Sequence, residues 1–476
     1  MRWTWLALLV ACGGSHSAVP DVQSDVPRDE GGPDGSGSSS DAASDPMHHT
    51  TSVLHYGGPD FGNFVEAMTA DAAGNFYFAG AFVGTIDLGA GPMVASGPQD
   101  WLVGSITSAG TLRWAKQFGG AQLDQAAGIT VDTNGHVFVI GNFESSVDFG
   151  GGMLTSAGYD DIAILTLAQD TGAYVDARRL GTASGEDGLG IVVDSSSNLT
   201  ICGFFGAGTI DFGGGHSLTG AAQDNGFVAS FDSSGVHRWS RMLGAGTTGK
   251  LSSCQAIALA ASGGVITTGS FDGSVDFGAG SVTGNSDIFV AAYSATGTPS
   301  WSHHYGGSNY DQGYAIAIAG NGDVMVGGTA YGQVDFGTGT VGMTGTSDGF
   351  LLQLDSGGTA RFARVLGGSG QVRGVRADPS GLLVATGALI GATDLGTGPL
   401  APIGPGDIFI AGFGLDGNAR YARRLGGTDY SEGDCLAISS AGVPAVGGMF
   451  RGTADLGTGS IAGGARDNGF VMLLAP

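Results

Sequence analysis

The sequence predicts an all-β chain: a seven-bladed β-propeller of four-stranded antiparallel blades, closed by an N-terminal strand. Three observations predict it. One short motif returns seven times, each repeat divides into four strand-length pieces, and the strand that the last repeat lacks stands ahead of the first.

The motif is an aspartate followed by a large apolar residue and glycine, as in Val147-Asp148-Phe149-Gly150. Its aspartates are Asp87, Asp148, Asp211, Asp276, Asp335, Asp394 and Asp455, separated by 61, 63, 65, 59, 59 and 61 residues. A period near sixty marks a modular array, each unit one supersecondary element. At 476 residues the chain also exceeds the size at which a single core stops growing. Its 92 glycines suit a chain that turns back on itself many times.

Within the second repeat, Ala127 to Val131 is followed by the turn Asp132-Thr133-Asn134-Gly135 and then His136 to Gly141. Both pieces are β-branched or aromatic, and the turn between them carries Asp, Asn and Gly. A longer connection holding Asp148 leads to a third strand, Asp161 to Leu167, and a fourth runs from Tyr174 to Leu180. The fourth strands carry Trp114, Trp239 and Trp301 in three copies, with Tyr174, Phe362 and Tyr421 nearby in others, and one large aromatic per repeat reads as packing between neighbouring units.

The last repeat ends on its third strand, Phe470 to Leu474. Ser52 to Gly58 has the character of a fourth strand, ending Tyr-Gly-Gly like Tyr305-Gly306-Gly307. Pairing the two closes the ring and removes both sheet edges. The propeller is therefore placed at 51–476, with seven complete blades.

Ahead of it, Met1-Arg2 precedes an apolar run ending in Leu9-Val10-Ala11-Cys12. The run is too short to span a bilayer and meets a small residue and a thiol at a cleavage point. It resembles a bacterial lipoprotein signal, which implies a signal peptide over 1–11, lipid attachment at Cys12, and, with Gly13 rather than Asp following, an outer-membrane address and exposure at the cell envelope. Residues 12–50 are Gly, Ser, Asp and Pro with few large apolar residues, a composition that cannot offset ordering entropy. They read as a disordered tether of about 35 Å root-mean-square span. His48 and His49 read as spacer.

The repeats resemble those of bacterial seven-bladed β-propeller repeat lipoproteins (SBBP type). The likeness rests on Asp-Phe/Leu-Gly, the Asp-x-Phe third strands (Asp287-Ile288-Phe289, Asp407-Ile408-Phe409), the aromatic fourth strand and the Gly-Gly ending, and it covers about nine-tenths of the chain. Two places depart from the pattern: Leu243-Gly244-Ala245-Gly246 replaces Gly-Gly ahead of a longer loop through Lys250, and Gly370 stands where other repeats hold Asp124 or Asp311.

Function is less legible. A formal charge of −25, with Lys116 and Lys250 the only lysines, argues against nucleic acid or anionic membrane as a partner of the folded part. Nine histidines show no metal-ligand spacing, and no nucleophile elbow or phosphate loop appears. The seven motif aspartates read as turn formers, because a residue repeated in every blade serves what every blade needs. No cofactor is expected; Ca2+ is the one ion their carboxylates suggest, without a clustered Asp-x-Asp-x-Asp-Gly run to hold it.

Cys202, Cys254 and Cys435 leave a Cys202–Cys254 bridge and buried thiols both open. The expectation is a lipid-anchored binding or scaffold module, monomeric and not an enzyme, for a protein or glycan partner. One alternative is an outer-membrane assembly factor similar to quinone-like propeller lipoproteins, on the Gly-x-x-x-Trp of Gly235 to Trp239 and Gly297 to Trp301. The other is a lyase or glycosidase using channel-mouth carboxylates, for which Asp124, Glu186, Asp311 and Glu432 are the candidates.

Overall fold

The computed structural model describes residues 48–57, 62–244, 247–307, 309–342, 347–464 and 466–476. The signal segment, Cys12 and the tether as far as residue 47 lie outside the described residues. Every regular element among the described residues is a strand. Blade 1 consists of Phe64–Ala70, Phe76–Phe82, Asp100–Ile106 and Leu112–Phe118, paired in chain order, and blades 2 to 6 repeat that order.

Blade 7 is made from both ends of the described chain. Ser431–Ile438, Pro444–Phe450 and Asn468–Leu474 receive Thr50–Gly57 as their fourth strand, in antiparallel register from Thr50↔Leu474 to Gly57↔Asn468. The closing strand starts at Thr50, before the expected Ser52, and the ring of His48, two residues ahead of it, stacks on Tyr421 at 4.1 Å.

The two middle strands of blade 1, Phe76–Phe82 and Asp100–Ile106, are buried along their whole length, whereas the outer Leu112–Phe118 is half-exposed. A blade wedged between two neighbours has no wet face in its middle, so these strands read as continuous apolar runs. The core is accordingly a circle of inter-blade wedges, one of which joins Tyr77 and Trp101 of blade 1 to Phe143, Phe149 and Leu165 of blade 2.

Fourth-strand aromatics tie blade to blade on the tight-turn face. The indole N–H of Trp114 donates to the Gln169 carbonyl (3.0 Å), Trp239 to Ala295 (3.1 Å) and Trp301 to Ser356 (3.1 Å), each in the next blade's third turn. Tyr174 does not belong to this set. It pairs with Leu167, the register held by Leu112 in blade 1, while Asp176 pairs with Thr166 at the Trp114 register. Its ring lies instead against Gly150 and Gly151 of its own blade.

Each long connection between second and third strands folds into a small hairpin with the Asp-Phe/Leu-Gly motif at its tip, as in Thr85–Asp87 with Pro92–Val94. The apolar motif residues turn inward: Leu88, Phe149, Phe212, Phe277, Phe336, Leu395 and Leu456 are all buried. One arm meets the preceding blade, as in the pairing of Gly426 with Asp455, and the tip meets its own fourth strand, as Gly278 does Pro299. The hairpins thus plug the outer grooves between blades. Cys202 and Cys254 form a disulfide between blades 3 and 4 with Cα atoms 5.6 Å apart, and Cys435 is a buried thiol.

Candidate functional site

The site is built by a bulge that recurs in all seven blades. In each innermost strand the register slips by one residue, leaving Glu66, Ala127, Leu189, Gln255, Tyr314, Arg373 and Asp434 without a partner on the second strand. A bulge re-aims the extra side chain. The cause is a glycine on the second strand: a Cβ on Gly80, Gly141, Gly203, Gly269, Gly328, Gly387 or Gly448 would come within about 2 Å of the carbonyl oxygen two residues before the bulge. Each glycine follows its bulge residue by 14 positions, so one repeated backbone requirement presents seven different side chains to the axis.

Six of these residues, all but Gln255, line with their neighbours a central cavity of about 100 Å³, reached by the inner strands of every blade. A larger hollow of about 500 Å³ opens on the tight-turn face beside blades 5 to 7, but turn residues such as Asn321, Asp378 and Ser440 line it and no clustered charge does. The chemistry concentrates in the bulge ring, towards the long-loop face.

On the blade 5 to 7 side the ring is polar. Arg373 donates from Nε to Glu432 Oε1 at 2.9 Å, both side chains being 4% exposed, and its guanidinium lies 4.2 Å from the centroid of the Tyr314 ring. Tyr430 donates its hydroxyl to the other oxygen of Glu432 at 2.9 Å. Glu66 and Asp434 stand in adjacent blades beside this pair, and Glu66 Oε1, Asp434 Oδ2 and Arg373 Nη1 are buried without a hydrogen-bond partner.

Burial pushes Glu66 up to about 8, with Arg373 opposing and the charge of Glu432 adding to the rise. Asp434 is raised well above the carboxylate range by burial and then by Glu432 and Glu66. Burial disfavours the charge on Arg373, but Glu432, Tyr314 and Asp434 more than restore it.

On the blade 2 and 3 side a second acidic group forms. Burial raises Asp187 to about 8 and Asp160 to about 6, and Asp187 accepts a hydrogen bond from the Asn142 amide. Tyr310, 43% exposed, lies just ahead of the inner strand of blade 5, close enough to feel both Tyr314 and Asp224.

The four carboxylates singled out from the sequence do not form one set. Asp124 takes the amides of Gly120 (2.6 Å) and Glu144 (3.0 Å), Glu186 that of Thr182 (2.7 Å), and Asp311 those of Gly307 (2.8 Å) and Tyr331 (2.7 Å). These three lie three residues before the bulge and lock blade junctions. Burial still lifts Asp124 and Glu186 to about 7 and Asp311 to about 6. Glu432 lies one register nearer the bulge and belongs to the ring; the register of the other three is held in blade 7 by Ser431 and in blade 6 by Gly370.

All seven motif aspartates, Asp87 through Asp455, accept the amide of the glycine two residues on, at 2.7–2.8 Å, and all but Asp211 also accept the amide four residues on. Among the described residues no group of three or more His, Cys, Asp or Glu is arranged to hold a metal ion. His216 and His237 stack at 4.3 Å on the perimeter of blade 3.

Fold and repeat together define the class: the chain is a seven-bladed β-propeller assembled from β-propeller repeats. The family model described as "Beta-propeller repeat" matches residues 113–142, from the last strand of blade 1 into the second strand of blade 2. No curated protein matches. Solved structures similar to the chain include the Pan2 WD40 domain of Neurospora crassa, at 11% identity, TM-score 0.45, covering 90% of this chain and 98% of that one. A streptogramin B lyase shares 11% identity at TM-score 0.43 over 88% and 97%. BamB from Moraxella catarrhalis shares 11% at TM-score 0.37 over 90% and 91%. Likeness at this level concerns the fold and carries no argument about activity.

Proposed function

We propose that the protein is an exported binding module, held to the outer membrane by lipid on Cys12, which captures a protein or glycan partner at the loop-side mouth of its channel. The carrying observation is the bulge ring, where a scaffold that repeats its turns, hairpins and glycines presents seven different side chains at seven equivalent positions. Side chains that no blade requires for its own folding are free to serve recognition. The geometry also suits an anchored protein. His48 lies beside the tight turns of blades 6 and 7, so the tether leaves from the face opposite the mouth.

The test is capture by the full-length exported protein of envelope proteins and arrayed glycans, with Tyr310→Ala at the mouth and Val236→Ala on the tight-turn face. Capture should fall at least tenfold in the first variant and hold in the second. The reverse pattern removes the reading, and loss of capture on chelation assigns a calcium role. Incorporation of labelled palmitate, abolished by Cys12→Ser, tests the anchor.

One observation favours a second reading, a lyase or glycosidase: Asp160, Glu186 and Asp187, all raised by burial, gather on one side of the axis. Neighbouring carboxyls held apart in proton affinity are what acid–base chemistry uses. Product release from an arrayed glycan, lost in Asp187→Asn, would establish it.

A further inference from the structure

The cavity at the ring has a composition that the binding reading alone does not explain. Glu66 and Asp434 line it and both feel the charge of Glu432; two guanidiniums line it as well, Arg373, whose Nε is paired with Glu432 while Nη1 keeps no partner, and Arg376, which donates to the Val375 carbonyl. Glu66 and Asp434 are each 4% exposed, and each keeps one oxygen without a partner. Buried polar atoms in native proteins are nearly always satisfied, so two orphaned carboxylate oxygens facing one hollow point to something that completes them.

Size narrows the occupant. At about 100 Å³ the hollow is well below the ~300–1,000 Å³ of clefts that enclose a whole small molecule. It admits a slender group and not a sugar ring. Charge narrows it further, since a guest that replaces the acids' protons and completes both orphaned oxygens must donate or be cationic. A compact ammonium offers three donors at the end of a thin alkyl stem, whereas a guanidinium is a wide plane.

We infer that the axial cavity between Glu66 and Asp434 binds a primary ammonium on an alkyl chain, with the Tyr314 ring and the Glu432-paired Arg373 in its lining. This deepens the binding-module reading and rests on it for the origin of the amine, a lysine side chain of a protein partner or a free alkylamine. The charged and titratable groups around the two acids are Arg373 and Arg376 of blade 6, Glu432, Tyr430, Cys435 and Asp467 at blade 7, and Tyr56 of the closing strand. In the empty site the acids hold protons, burial being the first cause. A bound ammonium, charged up to about pH 10, takes the protons' place, so binding releases them. By linkage the affinity rises about tenfold per pH unit for each proton released.

The test is titration calorimetry of the full-length protein with butylamine and with Nα-acetyl-lysine methylamide at pH 6.5 and 7.5, in buffers of different ionisation enthalpy. One-to-one binding with proton release, tighter at the higher pH and lost at least tenfold in Glu66→Gln and Asp434→Asn but kept in Asp187→Asn, supports the site. Binding of both probes assigns it to a lysine side chain, and of butylamine alone to a free amine. Binding of neither, or binding without proton release, overturns it. A carboxyl-carbon NMR titration of the unmutated protein decides the matter should the variants fail to fold: butylamine must shift two buried carboxyls to lower pH. Amine binding that persists while capture ignores Tyr310→Ala removes the wider reading and leaves this site standing.

Discussion

The perimeter hairpins and the axial bulges are both sevenfold features, and they use repetition in opposite ways. At the perimeter the same residues return, so that Asp148, Phe149 and Gly150 do in blade 2 what Asp335, Phe336 and Gly337 do in blade 5. At the axis the backbone returns and the side chain does not: Ala127 and Tyr314 occupy equivalent bulges. Identity of residue marks what closes the scaffold, and identity of backbone with varied residue marks what the scaffold presents.

Four changes sharpen or break that contrast. The largest effect is expected at the axis, where Arg373→Met strands a buried Glu432. An uncompensated buried charge costs about 3–5 kcal/mol, and denaturant midpoints should show most of it recovered in Arg373→Met combined with Glu432→Gln. Next, Phe149→Ala empties a fully buried perimeter site and should cost about 3 kcal/mol or more, read by the same midpoint, with amine affinity at the axis unchanged.

Third is pH. Glu66 lies near 8 and Asp124 and Glu186 near 7, while an unfolded chain ionises such groups near 4 to 4.5. Between those values the folded state holds more protons, so stability falls as pH rises from about 4.5 to 8. Asp416, held down to about 2 by Asn418 and Arg420, acts in the opposite sense and loses its contribution only as pH falls below about 4. Thermal midpoints should therefore be higher at pH 5 than at pH 8.5, and Glu66→Gln should flatten the difference; a protein more stable at pH 8.5 contradicts the assignment. Smallest, Asp148→Ala removes two amide hydrogen bonds at an exposed tip and should cost about 1 kcal/mol. A loss of ligand capture in that variant would erase the distinction between perimeter and axis.

The blades were legible because their signals are local. Strand lengths, Asp-Gly turns and the motif period need no knowledge of what meets what, and Val53 to Tyr56 could be matched to its blade by pattern alone. The axis was less legible because a bulge is a relation between two strands. Glu66 and Arg373 share no residue type with Ala127 or Leu189, so side-chain repetition is silent there. The signal that existed lay on the partner strand, in seven glycines each 14 residues beyond its bulge. Asp124, Glu186 and Asp311 drew attention as repeated acids, and that repetition accompanies their work of tying junction amides. Glu432, although acidic as well, lies one register away and has a different task.

The closing strand has a mechanical meaning. Thr50–Gly57 enters from the tight-turn face and runs antiparallel to Asn468–Leu474. A pull on the preceding chain, directed away from that face, acts along the strand and not across it. The ladder from Thr50↔Leu474 to Gly57↔Asn468 is then loaded in shear, its hydrogen bonds strained together, and is not peeled apart one bond at a time. The ring is seamed where tension would arrive, and the seam is oriented to resist it.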